Sequence, residues 1–260
     1  MNFFLTTNRG LYKVEGGNVV LVDPVPCHGI DAQDGQLYVV RRTNKNYPGW
    51  TGVFRGQGSQ EWEQITWVEK GTYEIKWRGD KLWICVTGRN EVLEFPIGGK
   101  EYEAHTPNGF ARREDGNYQH FNSILHGEDW TEVLAHNYSG KSDRPSCVWR
   151  YQDNVWRITK IDVGRECHDW TEKFYNDSGN RALKSRMGDV LKTWDEGYPR
   201  GLEYDEEVVV VGISKLEPDR DTREGDTFGA RMDILDRHTM TTLDSIPIPA
   251  GQIYCIKGVD

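Results

Sequence analysis

The sequence predicts an all-β fold, a six-bladed β-propeller closed by pairing of its C-terminal strand with its N-terminal blade. Three observations lead there. First, no long window carries apolar residues at helical spacing behind a capping residue, whereas short β-rich runs recur throughout. Second, the chain holds 10 Trp, 12 Tyr and 28 Gly in 260 residues, a mixture that suits short strands joined by tight turns. Third, one short pattern occurs six times.

The strands and turns come first. Turn pairs separate the β-rich runs: Asp34-Gly35 precedes QLYVV, Gly79-Asp80 precedes KLWIC, and Asp177-Ser178-Gly179 follows KFYN. Strands at such intervals indicate a barrel, a sandwich or a propeller. The repeat selects among them. CHGIDAQDGQLYVV from Cys27 aligns with TYEIKWRGDKLWIC from Thr72, FNSILHGEDWTEVLA from Phe121, CHDWTEKFYND from Cys167, PRGLEYDEEVVVVG from Pro199 and IYCIKG from Ile253. Each copy has a polar residue, one variable residue, then an apolar one. The polar positions are His28, Tyr73, Asn122, His168, Arg200 and Tyr254; the apolar ones are Ile30, Ile75, Ile124, Trp170, Leu202 and Ile256. Successive polar positions lie 45, 49, 46, 32 and 54 residues apart, lengths that suit four-stranded blades with variable loops.

The sixth copy begins too close to the C-terminus to make a blade of its own. The N-terminus supplies NFFLTTN, LYKVEGG and NVVLVD, three more strands. The last strand is therefore expected to complete the first blade and remove the free sheet edges. One propeller domain, 1–260, is the expected organisation. The polar stretch GGKEYEAHTPNGFARREDGN from Gly98 is expected to be a surface excursion, with His105 on a loop or an outer strand.

Composition narrows the function. A net charge of −9 argues against an extended nucleic-acid surface while leaving room for a small basic pocket. The longest aliphatic run, Val208 to Ile213, is too short to span a bilayer, and MNFFLTTNRG lacks the features of a signal peptide. Five cysteines without CxxC spacing read as reduced, mostly buried thiols of a cytoplasmic protein. The expected partner is a small-molecule ligand, with no nucleic acid and no membrane.

The stretches YPRGLEYDEEVVVVGISK, FGARMDILDRHTMTTL and GQIYCIKGV are similar to the C-terminal part of an uncharacterised bacterial six-bladed propeller-like family. That family has R-G-L, G-L-S and E-I-Y-D-V patterns. CHGID, HFNSI and ECHDW resemble its H-D-I, H-L-N-G-L and P-H-S elements. Gln252 stands where the family pattern has Glu, and Glu166-Cys167 stands where it has Pro before the histidine. The resemblance implies the architecture and no particular activity.

Side chains alternate along a strand. The six polar positions are thus expected to form one ring near the axis, with Pro26, Gly71, His120, Glu166, Tyr198 and Gln252 one level outward. The aliphatic positions, with Trp170, are expected as an apolar plug beneath. Loops between second and third strands should rim the same cup and bring Arg41 or Arg42, Arg89, His136 and Lys215 near it. Cys27 and Cys167 should face the inter-blade core, which argues against a Cys–His nucleophile.

Within the ring, His28 and His168 are the acid/base candidates, because imidazole exchanges protons near neutrality, and Tyr254 is a further candidate acid. Arg200 is the candidate anion clamp, since guanidinium matches carboxylate or phosphate; the competing reading is a salt bridge to Glu166 or Glu74. Asn122, Tyr73 and the rim-loop Trp50 are the other candidate ligand contacts. His28, His120, His168 and Glu166 together would suit Zn, Mn or Fe, although no HxH or HExxH spacing accompanies them. The competing reading for both ring histidines is as hydrogen-bonded inter-blade ties. The expected function is a metal-assisted lyase or hydrolase acting on an anionic or polyhydroxylated small molecule. The alternative is a non-catalytic propeller that binds a small ligand or a protein loop at the same mouth.

Overall fold

In the computed structural model, residues 2–42, 50–57, 61–69, 71–96, 101–107, 119–136, 145–215 and 228–259 are described. They form six four-stranded antiparallel sheets arranged as a propeller. Blade 1 runs from axis to rim as Ile253–Val259, Asn2–Thr7, Gly10–Glu15 and Asn18–Asp23. The C-terminal strand is therefore the innermost strand of the first blade, and it pairs with Asn2–Thr7 from Asn2↔Val259 to Thr7↔Ile253.

The other blades follow the chain. Blade 2 is Cys27–Gln33, Gln36–Arg41, Trp50–Gly56 and Trp62–Glu69; blade 3 is Thr72–Arg78, Lys81–Val86, Glu91–Pro96 and Glu103–His105. Blade 4 is Phe121–His126, Thr131–Ala135, Cys147–Gln152 and Val155–Ile161; blade 5 is Cys167–His168, Phe174–Asp177, Ala182–Ser185 and Val190–Thr193. Blade 6 is Tyr198–Tyr204, Val208–Ser214, Ala230–Asp236 and Thr242–Ile248. The polar stretch from Gly98 is thus more than an excursion, because it contributes the rim strand of blade 3. Tight turns enforce the meander: Asp34 and Gly35 have φ of 51° and 71°, and Asp153 and Asn154 have φ of 53° and 60°. Both pairs supply the left-handed conformation that two-residue hairpin loops require.

The core lies between blades. Cys27 and Ile30 pack with Phe4 and Leu11 of blade 1, and Ile75 packs with Tyr38 and Val40 of blade 2. Ile124 meets Trp83 and Cys85, Trp170 meets Leu134 and Val148, Leu202 meets Leu183, and Ile256 meets Val210. Each interface therefore excludes water with one apolar residue of the repeat. All five cysteines are buried free thiols.

This packing corrects the expected apolar plug. Five inner strands carry a register shift at the polar repeat position, between Cys27/Ile30, Thr72/Ile75, Phe121/Ser123, Pro199/Leu202 and, across Tyr254, Thr6/Thr7. A bulge inserts one extra residue and re-aims the side chains beside it. Alternation is broken there, so Ile30 shares a face with Cys27 rather than with His28. Blade 5 reaches the same result differently, with Asp169 at φ 57° directly after His168.

On four of the six inner strands the next residue carries a polar or thiol side chain, Glu74, Ser123, Asp169 or Cys255, and on the other two it is Gly29 or Gly201. Cys255 Sγ lies 3.1 Å from Glu74 Oε2, Lys76 Nζ lies 3.4 Å from Glu74, and Lys257 Nζ lies 2.9 Å from Asp31.

Candidate functional site

The bulged positions and the residues before them form a belt of rings around the axis. Tyr254 and Tyr73 flank His28, with centroids 4.5 and 4.8 Å away. Tyr73 continues to His120 at 5.2 Å, and His120 stacks on His136 at 4.2 Å with planes 16° apart. His136 meets His168 edge-on at 4.4 Å, and His168 meets Tyr198 at 5.9 Å. Arg200 closes the belt: its guanidinium carbon lies 4.7 Å from the Tyr254 centroid and 5.7 Å from that of Tyr73. His28, His168, Arg200, Tyr73 and Tyr254 thus belong to one belt of ring and cation contacts.

A second repeat holds this level in place. Hydroxyls at or just after the ends of second strands donate to carbonyls of the next inner strand: Thr6 to His28, Thr87 to Phe121, Ser178 to Pro199 and Ser214 to Ile253. Ser178 does more. Its Oγ is 2.9 Å from His168 Nδ1, and because it donates to the Pro199 carbonyl it accepts from that ring. The hydrogen-bond network therefore assigns the proton of neutral His168 to Nδ1, leaving Nε2 as an acceptor. His136 Nε2, 3.0 Å away, is the matching donor.

Burial and the neighbouring Arg200 and His120 disfavour the charged form of both imidazoles. Burial pushes His136 well below the usual histidine range, and His120, His168 and Arg200 push it further. His168 is lowered chiefly by burial, then by Arg200 and His120. The half-buried Asp169 answers Arg200 only in part. Its carboxyl is raised by burial against the pull of Asn176, the Gly201 N–H and Arg200, and its Oδ2 accepts from Asn176 Nδ2 and Gly201 N at 3.0 and 2.9 Å.

Both salt bridges considered for Arg200 are absent. Glu166 is exposed and accepts from the Tyr198 hydroxyl, while Glu74 is engaged with Cys255 and Lys76. Among the described residues Arg200 makes no ion pair, and its Nε is buried without a hydrogen-bond partner. Asn122 donates from Nδ2 to the Cys167 carbonyl at 2.9 Å, and its Oδ1 is buried and likewise unpartnered.

Of the rim candidates, His136 reaches the cup. Arg41 is held by Asp23 through Nε at 2.9 Å and Nη2 at 3.2 Å. Arg89 pairs with Glu91, with Nε 3.0 Å away. The side chain of Trp50 lies outside the described residues.

The ligand set His28, His120, His168 and Glu166 does not close on a point. Among the described residues the ligand-type atoms that converge within 4.8 Å are those of Glu94, Glu103 and His105, on the outer strands of blade 3. That group is close enough to share one metal ion, and His105 Nε2 already lies 3.0 Å from Glu94 Oε2. Ser178 is the residue that sequence reading passed over; the recurrence of Thr6, Thr87, Ser178 and Ser214 was the signal for it.

No family model matches the chain, and no curated protein does. Solved structures do. A nidogen–laminin complex superposes with a TM-score of 0.69 at 11% identity, covering 98% of this chain and 97% of that one. A candidate 6-phosphogluconolactonase of Bacteroides fragilis gives 0.55 at 12% identity, covering 100% and 98%. Virginiamycin B lyase of Staphylococcus aureus gives 0.54 at 10% identity, covering 93% and 78%. At such identities the likeness shows the propeller fold alone, since one fold carries many activities. No helix among the described residues is long and apolar enough to cross a membrane.

Proposed function

We propose that the axial cup is the active site of a hydrolase or lyase acting on an anionic or polyhydroxylated small molecule. The observation that carries this reading is Arg200, a cation set between Tyr254 and Tyr73 with no carboxylate paired to it among the described residues. Arg200 clamps the anion, and the unspent Oδ1 of Asn122 accepts from a substrate hydroxyl. His168, with His136 behind it and His28 across the ring, exchanges the proton. Two structural neighbours bear the names of a lactonase and a lyase, and they support the reaction class at the level of fold analogy.

A divalent Zn, Mn or Fe ion, where one is bound, would be held by Glu94, Glu103 and His105, whose ligand atoms lie within 4.8 Å of one another, rather than by the hydrogen-bonded His136–His168 pair. The five unpaired thiols support a cytoplasmic setting. The alternative, a propeller that binds an anion without transforming it, draws support from the low basicity of His136 and His168.

The test is turnover of a panel of carboxylate- and phosphate-bearing esters and lactones, with and without added Zn, Mn or Fe(II). The reading expects turnover that Arg200→Gln and His168→Gln both abolish while each variant melts cooperatively. Binding without turnover across the panel selects the alternative. Activity or binding unaffected by Arg200→Gln removes the cup from consideration.

A further inference from the structure

The register of blade 3 brings Glu94, Glu103 and His105 together. Its rim strand, Glu103–His105, pairs with Glu91–Pro96 at three positions, Val92↔His105, Leu93↔Ala104 and Glu94↔Glu103. Glu94 and Glu103 therefore stand directly opposite each other, and His105, two residues on from Glu103, shares their face. Like charges placed opposite across a strand pair are destabilising. Lys81 answers one of the two carboxylates, since its Nζ reaches Glu94 Oε1. That leaves Glu94 Oε2 facing His105 Nε2 at 3.0 Å, and the ligand atoms of all three residues lie within 4.8 Å of one another.

The imidazole is fixed in advance. His105 keeps only 7% of its surface exposed and lies parallel to Trp83, with ring centroids 5.2 Å and planes 3° apart. Tyr151 and Trp156 close around it, with centroids 5.0 and 6.2 Å away. Glu103 is exposed, so the other side of the group meets solvent. An apolar shell behind the ligands and an open approach in front suit a metal ion. In a tetrahedral zinc site, ligand atoms about 2.0–2.1 Å from the ion stand about 3.3 Å from one another. Glu94 and His105 can take such an ion by a small outward movement.

We propose that this group binds one Zn(II) ion, and that the ion pins the rim strand of blade 3 to its blade. The inference rests on the reading that places the divalent ion in blade 3, and it does not need the axial cup to be catalytic. Glu94 Oε2, a Glu103 oxygen and a His105 nitrogen supply three ligands, and water supplies the fourth. One imidazole with two carboxylates selects a borderline ion, because Ca and Mg favour oxygen ligands alone. The ion takes the place of the proton in the Glu94–His105 contact, which leaves to solvent, and it turns the repulsion between Glu94 and Glu103 into attraction to a common charge. Its ligands span two adjacent strands, one of them only three residues long.

The experiment is calorimetric titration of the full chain, stripped with EDTA, with zinc, manganese and calcium chlorides, followed by amide hydrogen exchange with and without zinc. The expected result is one zinc bound more tightly than manganese, as the Irving–Williams order requires, and more tightly than calcium. Glu103→Gln and His105→Gln should each weaken zinc by about a hundredfold or more, since loss of an outer partner alone costs about 10–100-fold. Zinc should slow exchange at residues 92–94 and Glu103–His105 in the parent and in neither variant. Glu103 is exposed, so Glu103→Gln spares the core even where His105→Gln does not. Without zinc, Glu103→Gln should melt no lower than the parent, because the like-charge pair is gone; with zinc the parent should melt higher. Arg200→Gln should leave zinc binding unchanged, so failure of the cup and failure of the zinc site are read separately. The absence of zinc binding, equal zinc affinity in the parent and Glu103→Gln, calcium bound as tightly as zinc, or zinc binding that leaves exchange in blade 3 unchanged would each overturn the proposal.

Discussion

Replacing Glu74 by glutamine should change how the stability of the protein depends on pH. Glu74 is buried beside the axis, and its carboxyl is raised to about 7, first by burial and also by Asp169 and Asp31, against the pull of Lys76 and the Cys255 thiol. The ordinary value is 4.5. A carboxyl whose folded pKa is raised contributes stability that is fully present below the unfolded value and is lost as pH rises through the folded one. Each unit is worth about 1.4 kcal/mol, so the folded protein should lose about 3 kcal/mol from this group between pH 4.5 and pH 8. Glutamine keeps the shape and cannot ionise. Glu74→Gln should therefore match the parent near pH 4.5 and exceed it by about 3 kcal/mol near pH 8, roughly 6–12 °C in Tm for a chain of this size. Urea titrations of both proteins at half-unit pH intervals measure the difference. Stability curves that run parallel from pH 4.5 to 8.5 would show that Glu74 is ionised throughout, and that the buried charges along the axis are balanced differently.

Other predictions follow from the ring and its closure. Deleting residues 250–260 removes the inner strand of blade 1 and should abolish cooperative thermal unfolding; a sharp, near-native melt of the truncated chain would contradict the closure. An anion bound at Arg200 should raise the depressed basicity of His168 and His136, since Arg200 is a cause of both shifts. Anion affinity should then grow as pH falls below the ordinary histidine range, with proton uptake visible as buffer-dependent heats in calorimetry; an affinity that does not vary with pH there would separate the histidines from the anion. Ser178→Ala removes both the tautomer assignment and a buried partner of the Pro199 carbonyl, and should cost about 1–3 kcal/mol. It should also alter the His168 side-chain nitrogen resonances, which a purely inter-blade role for Ser178 would leave unchanged.

The blades were legible because the repeat pairs a polar with an apolar residue at fixed spacing, and inter-blade packing makes the same demand six times. Ile30, Ile75 and Ile124 satisfy it in turn. The ring was legible for the same reason. Its surroundings were not, because strand alternation was carried through positions where each strand is bulged. That error placed Ile30 under His28, whereas Ile30 shares an interface with Cys27 and the axis continues with Glu74, Asp169 and Cys255. Partner choice was also hidden. Nothing local in the sequence shows that Glu166 turns to Tyr198 rather than to Arg200, or that Arg41 is taken by Asp23, because each pairing joins residues on different blades. His105 lies on an outer strand, one of the two places the sequence left open for it, because that strand is only three residues long and is set among polar residues.

The central claim is that the axial cup holds an anion at Arg200. Anomalous diffraction from crystals soaked in selenate tests it most directly. The account predicts a selenium peak within about 4 Å of the Arg200 guanidinium, the reach of a charge-assisted hydrogen bond, and its disappearance in crystals of Arg200→Gln. Selenium peaks found elsewhere on the molecule with none inside the ring would contradict it.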